Sequence, residues 1–198
     1  MAIDFMKSLT RENLMRAFAG ESQARNRYTF AWGAAKKQNM HAIAEIFSFT
    51  AGQEKEHAEI FYRYLTEKGA GSVLLTGTYP VDKADTVLSH LRFAEHNEKE
   101  EASPLYPSFA EDARKEGFAD VAASFDLIAK IEQAHAERFS LFADMLESGT
   151  LYEAKEETSY LCLNCGHIHK GKSAPQLCPV CQHTQGYFIP LQLAPYTK

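Results

Sequence analysis

The chain has 198 residues, 45% of them apolar and 24% charged, with a formal net charge of −5. These values describe one sizeable globular domain with a small appendage, and without any Lys/Arg run they argue against nucleic acid as a partner. No apolar run approaches the ~20 residues of a membrane span, and Met1 to Lys7 lacks signal-peptide architecture, so no membrane partner and a cytoplasmic location are expected.

Thr10 suits a helix N-cap, with Glu12 in the first turn. The first helix is expected to run to about residue 38, with an inward stripe of Leu14, Ala17, Glu21, Ala24, Tyr28, Ala31 and Ala35. Glu21 interrupts an otherwise small or apolar face. A second helix follows from about 41 to 68, stopped by Gly69 and Gly71. From 69 to about 82 regular periodicity fails, and a long crossover between helices two and three is expected.

The third helix is placed from about Lys83, with the stripe Leu88, Leu91, Glu95, Glu98, Ala102 and Leu105. Pro104 and Pro107 should break or kink it. A fourth long helix is expected from about 118 to 147, stopped by Gly149. The polar stretch 150–159 reads as a solvated linker. From Tyr160 the composition turns to cysteine, glycine, proline and β-formers, marking a second domain over 160–198. A core that small needs a metal staple.

One string occurs twice. Glu54-Lys-Glu-His57-Ala-Glu-Ile-Phe61 reappears as Glu132-Gln-Ala-His135-Ala-Glu-Arg-Phe139, five of eight positions being identical. On a helix, residues three apart share a face. Both Glu-x-x-His pairs fall on apolar stripes, Phe47 to Tyr64 and Phe125 to Leu146, where the pattern asks for core. A buried, unpaired carboxylate is costly and needs a cation. The expected inward set is Glu21, Glu54, His57, Glu95, Glu98, Glu132 and His135. A carboxylate-bridged di-iron or di-manganese bundle uses one Glu from each of two helices and Glu-x-x-His from the other two. This set supplies those ligands with Glu98 to spare, and carboxylate with imidazole suits iron or manganese. Tyr28 and Tyr106 are expected to be buried tyrosines with satisfied hydroxyls.

All four cysteines lie in the last fifth, as Cys162-x-x-Cys165 and Cys178-x-x-Cys181. Without a secretion signal, that pattern argues for a tetrahedral thiolate site rather than disulfides. Zinc or a single iron fits the geometry equally. Beside a redox di-metal centre, an Fe(Cys)4 site has a purpose, since it passes electrons singly.

In these motifs, with Gly20-Glu21-Ser-Gln-Ala-Arg-Asn-Arg-Tyr28 and Glu95-His-Asn-Glu98, the chain resembles rubrerythrin along its whole length. The resemblance implies an all-α, ferritin-like four-helix bundle over 1–149 with a di-iron centre, then a small rubredoxin-like β domain with one iron. It implies reduction of hydrogen peroxide to water in oxidative-stress defence, with Glu98 and His57 exchanging at one iron. It implies an external electron donor, and since no Gly-x-Gly-x-x-Gly is present, NAD(P)H would act through a separate reductase. From His135 to Gly149 is about 21 Å at ~1.5 Å per residue, which favours a head-to-tail homodimer. The alternatives are a ferritin-like ferroxidase or iron-storage protein with a structural zinc ribbon, and a non-enzymatic metal sensor.

Overall fold

The computed structural model describes residues 3–195. Helix α1 spans Leu9–Lys37, α2 His41–Glu67, α3 Val87–Glu100, α4 Tyr106–Glu116 and α5 Ala119–Glu147. A five-residue π turn, Glu101–Leu105, joins α3 to α4, with Ser103 in an extended conformation. The 14 residues of α3 are too few to cross the bundle alone. Together α3 and α4 complete the third rod of a four-rod bundle. Helix α1 packs along α2, and α3 and α4 pack along α5. No helix among the described residues is long and apolar enough to cross a membrane.

The N-cap of α1 is Ser8, not Thr10: its side chain accepts from the Arg11 N–H. Thr10 is buried and serves a longer-range contact. The Glu116 carboxylate, at the end of α4, accepts the Leu9 N–H at 2.8 Å, the Thr10 N–H at 2.8 Å and the Thr10 hydroxyl at 2.6 Å. It thus satisfies first-turn donors of α1 and meets the positive end of its dipole. Burial alone would raise the Glu116 pKa, but these bonds hold it below the ordinary value. A depressed carboxyl pKa stabilises above the unfolded value of about 4.3 and loses that contribution as pH falls through the folded value. Glu116→Gln is expected to cost about 1–2 kcal/mol at pH 7, read by urea denaturation. The deficit should begin to shrink as pH falls below about 4.3 and disappear only below the depressed folded value.

The crossover between α2 and α3 carries no helix or strand. Arg11 Nε donates to the Ala70 carbonyl at 2.9 Å, and Arg16 Nε to the Thr76 carbonyl at 3.0 Å. Helix α3 starts at Val87 behind a Thr86–Ser89 capping box, later than the expected Lys83. Its buried stripe is Val87, Leu91, Ala94, Glu98 and Ala102. Glu95 follows Ala94 and is rotated about 100° from it, so it leaves the stripe. Leu105, expected inward, is 38% exposed.

Residues 150–159, expected as a solvated tether, are mostly strand. β1 runs Glu153–Cys162 and pairs antiparallel with β2 (Ile168–Ser173) and β3 (Phe188–Pro190), in the order β2-β1-β3. Most side chains from Glu153 to Glu157 are exposed, which hid the period-two signal. Leu151 is buried within the bundle's core. The tail domain therefore joins the bundle directly.

It docks on the corner between α1 and α2. Ile189 packs with Ile43 and Ala42, and Tyr187 stacks on His41 with centroids 3.8 Å apart. Asn39 at this corner has φ 57°. A Cβ on Gly186 would lie 1.6 Å from the Asn39 carbonyl oxygen, so only glycine permits this approach. Gly186→Ala should detach the tail domain without unfolding it, raising the radius of gyration by small-angle scattering. An unchanged radius would refute that reading of the corner.

Candidate metal centre

The bundle brings two four-residue groups together. Glu21, Glu54, His57 and Glu132 form one, and Glu54, Glu98, Glu132 and His135 the other; within each, potential ligand atoms lie within 4.8 Å of one another. Glu54 and Glu132 belong to both. His57 Nδ1 lies 2.8 Å from Glu132 Oε1 and 3.3 Å from Glu54 Oε2. His135 Nδ1 lies 2.8 Å from Glu132 Oε2 and 3.0 Å from Glu54 Oε1. Each shared carboxylate thus turns one oxygen toward each imidazole, as a carboxylate bridging two ions must.

None of these short contacts has hydrogen-bond geometry. Six carboxylate oxygens, from Glu21, Glu54, Glu98 and Glu132, and the Nδ1 atoms of both histidines are buried without a hydrogen-bond partner. Orphaned acceptors converging around two points fit two cations and little else. The titration directions agree. Burial, then the charges of Glu132 and Glu54, push Glu21 well above the ordinary carboxylate value. Burial and Glu54 do the same to Glu98. Burial would lower the histidines, but Glu132 and Glu54 raise His57 to about 9 and His135 to about 11. Against the effect of its own burial, Glu54 is drawn to about 2 by His135 and His57.

The surroundings have an approximate two-fold symmetry. Tyr28 on α1 donates to Glu98, and Tyr106 on α4 donates to Glu21 Oε1 at 2.6 Å. The satisfied-hydroxyl expectation holds for both, with the site's own carboxylates as acceptors. Tyr28 follows Glu21 by seven residues, whereas Tyr106 follows Glu98 by eight. A π turn inserts one residue, and the turn between α3 and α4 supplies that extra residue. Aromatic layers close both ends: Tyr28, Phe47 and Phe139 pack on one side, and Phe61, Tyr106 and Phe125 on the other.

Glu95 is the one expected bundle ligand that the structure does not bring to the site. Its carboxylate pairs with Arg92 Nη1 at 2.8 Å and Lys99 Nζ at 2.6 Å. Although its partial burial opposes this, those bonds hold it near a pKa of about 2. One turn later lie the buried Glu98 and the half-buried Glu101. Burial, then Glu132 and Glu54, raise Glu101 to about 8, while Arg27 and His57 pull it partly back. Glu101 Oε1 lies 3.8 Å from where a Cβ on Gly20 would stand. The sequence reading missed Glu101; the stripe through Val87, Leu91 and Ala94 was the signal that sets the register.

It also missed a supporting network. Gln53 Oε1 accepts from Arg138 Nη1 at 3.0 Å and faces His135 Nε2 at 3.1 Å, and Arg138 Nη1 also donates to Thr50 Oγ1 at 2.9 Å. An acceptor at Gln53 makes His135 Nε2 the donor, leaving the Nδ1 lone pair for a metal. Gln53→Leu should weaken iron binding about 10–100-fold in a chelator competition, with the helical content unchanged.

In the tail, Cys162 Sγ lies 3.8 Å from Cys181 Sγ, and Cys165 Sγ 3.6 Å from Cys178 Sγ. All four are free thiols within one ligand group. The two knuckles are alike: Gly166 N–H bonds the Cys162 carbonyl, and Gln182 N–H the Cys178 carbonyl. The turns place Gly166 at φ 78° and Gln182 at φ 59°. The His183 N–H holds the Cys181 thiol down to about 6, whereas burial raises Cys162 to about 12. Four thiolates at these separations fit one tetrahedral ion.

Comparison with known proteins agrees with both sites. A family model described as Rubrerythrin matches residues 12–143, and one described as Rubrerythrin, rubredoxin-like domain matches residues 160–189. A rubrerythrin of Porphyromonas gingivalis is 44% identical, covering 93% of this chain and 91% of its own length. One of Clostridium perfringens is 46% identical, covering 92% and 96%. Among solved structures, nigerythrin in a partially reduced state matches with a TM-score of 0.63 at 30% identity, over 93% of this chain and 90% of its own. A bacterioferritin of Desulfovibrio desulfuricans, 20% identical, shares the helical fold with a TM-score of 0.65 over 74% and 85%.

Proposed function

Since this chain belongs to the rubrerythrin family, with a di-iron carboxylate site in its bundle and a rubredoxin-like four-cysteine site in its tail, we propose that it reduces hydrogen peroxide to water in oxidative-stress defence. The observation that carries this reading is the pair of ligand groups sharing Glu54 and Glu132, on one chain with the Cys162–Cys181 cluster. When bound, the two bundle irons supply one electron each for cleavage of the O–O bond. We take the refilling electrons to come one at a time through the cysteine site, from an external donor.

The chain's own residues do the rest. Glu21, Glu54, His57, Glu98, Glu132 and His135 are assigned as ligands, and Glu95 is not. Tyr28 and Tyr106 orient the terminal carboxylates of Glu98 and Glu21 through their hydroxyls. The exchange expected between Glu98 and His57 is reassigned. Glu98 sits in His135's group and is tied to Tyr28. Glu101 shares the electrostatic field of His57 and lies beside Gly20, so it is the carboxylate suited to trade places with His57. The ring layers shield the flanks of the site and strengthen its electrostatics there.

Assembly follows from distance. The tail docks at His41, 13 helical residues or about 20 Å along α2 from Glu54. A head-to-tail dimer, placing one chain's cysteine site against the partner's bundle, shortens that gap. We infer a cytoplasmic location from the two Cys-x-x-Cys pairs, which gather as metal ligands rather than as disulfides.

A test separates this from iron storage. With a reductase system and no oxygen, hydrogen peroxide should be consumed catalytically with iron content constant. Oxygen-dependent Fe(II) oxidation, with iron accumulating beyond the protein's own sites and no peroxide turnover, would reverse the reading.

A further inference from the structure

A cleft of about 640 Å3 opens beside the di-iron centre, between the crossover and the α3–α4 junction. Glu101 and Tyr106 are among the residues that line it. Both belong to the centre's surroundings, since Tyr106 bonds Glu21 and Glu101 faces the charge of Glu132. Ala17, Tyr79, Pro104, Leu105 and Phe109 contribute apolar walls. Gly20 leaves bare backbone between them. A Cβ there would meet only the Tyr79 ring at 3.9 Å and Glu101 Oε1 at 3.8 Å. Tyr79 is held in place by its hydroxyl, which donates to the Arg16 carbonyl at 3.2 Å.

Size and polarity decide what such a space admits. Hydrogen peroxide needs little more than a water's share of volume, about 30 Å3. A cleft of ~300–1,000 Å3 with mainly apolar walls and few polar groups at one end suits a small organic molecule. Of its polar lining, Glu101 and Tyr106 adjoin the reacting centre, while Arg16, Asn97 and Glu100 also border the cleft. We propose that the cleft binds the organic group of an alkyl or aryl hydroperoxide, with its –OOH directed toward Glu101; this rests on the peroxidase reading above. The reaction is ROOH plus two electrons and two protons giving ROH and water. The O–O bond breaks; the two electrons would come from reduced irons held by Glu21, Glu54, His57, Glu98, Glu132 and His135, and the protons from solvent.

The test uses the full-length, iron-loaded protein. Cumene hydroperoxide and hydrogen peroxide are compared by kcat/KM, and binding of the unreactive product alcohol, 2-phenyl-2-propanol, is measured by calorimetry. Leu105→Lys puts a charge at the exposed edge of the apolar wall, where folding tolerates it. The variant should bind the alcohol about tenfold more weakly and lower the cumene-to-hydrogen-peroxide ratio about tenfold. No alcohol binding to the unaltered protein, or a ratio and affinity indifferent to Leu105→Lys, would overturn the proposal. If neither peroxide is reduced while the alcohol binds, the peroxidase reading falls and the cleft remains an organic-ligand site.

Discussion

Replacing Glu132 with glutamine is expected to empty both bundle iron positions, not one. Glu132 turns Oε1 toward His57 Nδ1 and Oε2 toward His135 Nδ1, each at 2.8 Å. An amide keeps the shape but offers one weak acceptor in place of two anionic ones. Iron content should fall to the single ion of the cysteine site, and peroxide reduction with it. The stability deficit should widen when iron is added. Without iron, Glu132 is a counter-charge to His57 and His135, whose pKa values it helps to raise, so the amide leaves those imidazoles less well paired and the metal-free variant should melt lower than the unaltered protein. With iron present, the unaltered protein gains the linkage stabilisation that the variant cannot. Glu95→Gln is the control. Glu95 pairs with Arg92 and Lys99 outside both ligand groups, so iron content should not change. Metal analysis and thermal melts of the two variants, with and without iron, check all four expectations.

The second large effect falls on the tail. Cys162→Ser should unfold the 150–195 region and leave the bundle standing. Cys162 and Cys178 are fully buried, and the tail's own core holds little else besides Tyr160, Ala174 and Phe188. A core that small depends on its metal, which supplies about 10 kcal/mol or more of folding free energy in such domains. The visible absorption of the cysteine site should disappear while far-ultraviolet circular dichroism of the helices persists. Turnover driven by an external reductase should stop. A chemically reduced bundle should still consume peroxide in a single turnover, because the ligand groups around Glu54 and Glu132 do not involve the tail. Loss of that single turnover would mean that the two domains are not separable in function.

Much of this site was legible because Glu-x-x-His recurs on two apolar stripes, and a buried acid beside a buried imidazole has few explanations other than a cation. Glu21 was legible for the same reason, as a lone charge among small residues. The third rod resisted. Three glutamates at 95, 98 and 101 offer two overlapping pairs at helical spacing, and choosing between them needs the register of Val87, Leu91 and Ala94. The π turn then shifts the phase by a residue before Tyr106, which no single helical period follows. The linker was misread because the strand exposes most of its first half, so no apolar alternation marks it. Gln53, Arg138 and the Gly186–Asn39 approach were invisible for a different reason. Each acts through a partner 82 or more residues distant, and nothing local in the chain announces it.

The most direct measurement is anaerobic and takes a single mixing. The iron-loaded protein is fully reduced, mixed with one equivalent of hydrogen peroxide, and followed at the visible absorption of the Fe(Cys)4 site. Rapid return of the oxidised spectrum, abolished by Glu132→Gln and retained by Glu95→Gln, is the predicted result. A tail that stays reduced in the presence of peroxide, or reoxidises equally fast without the bundle's iron, would contradict the account.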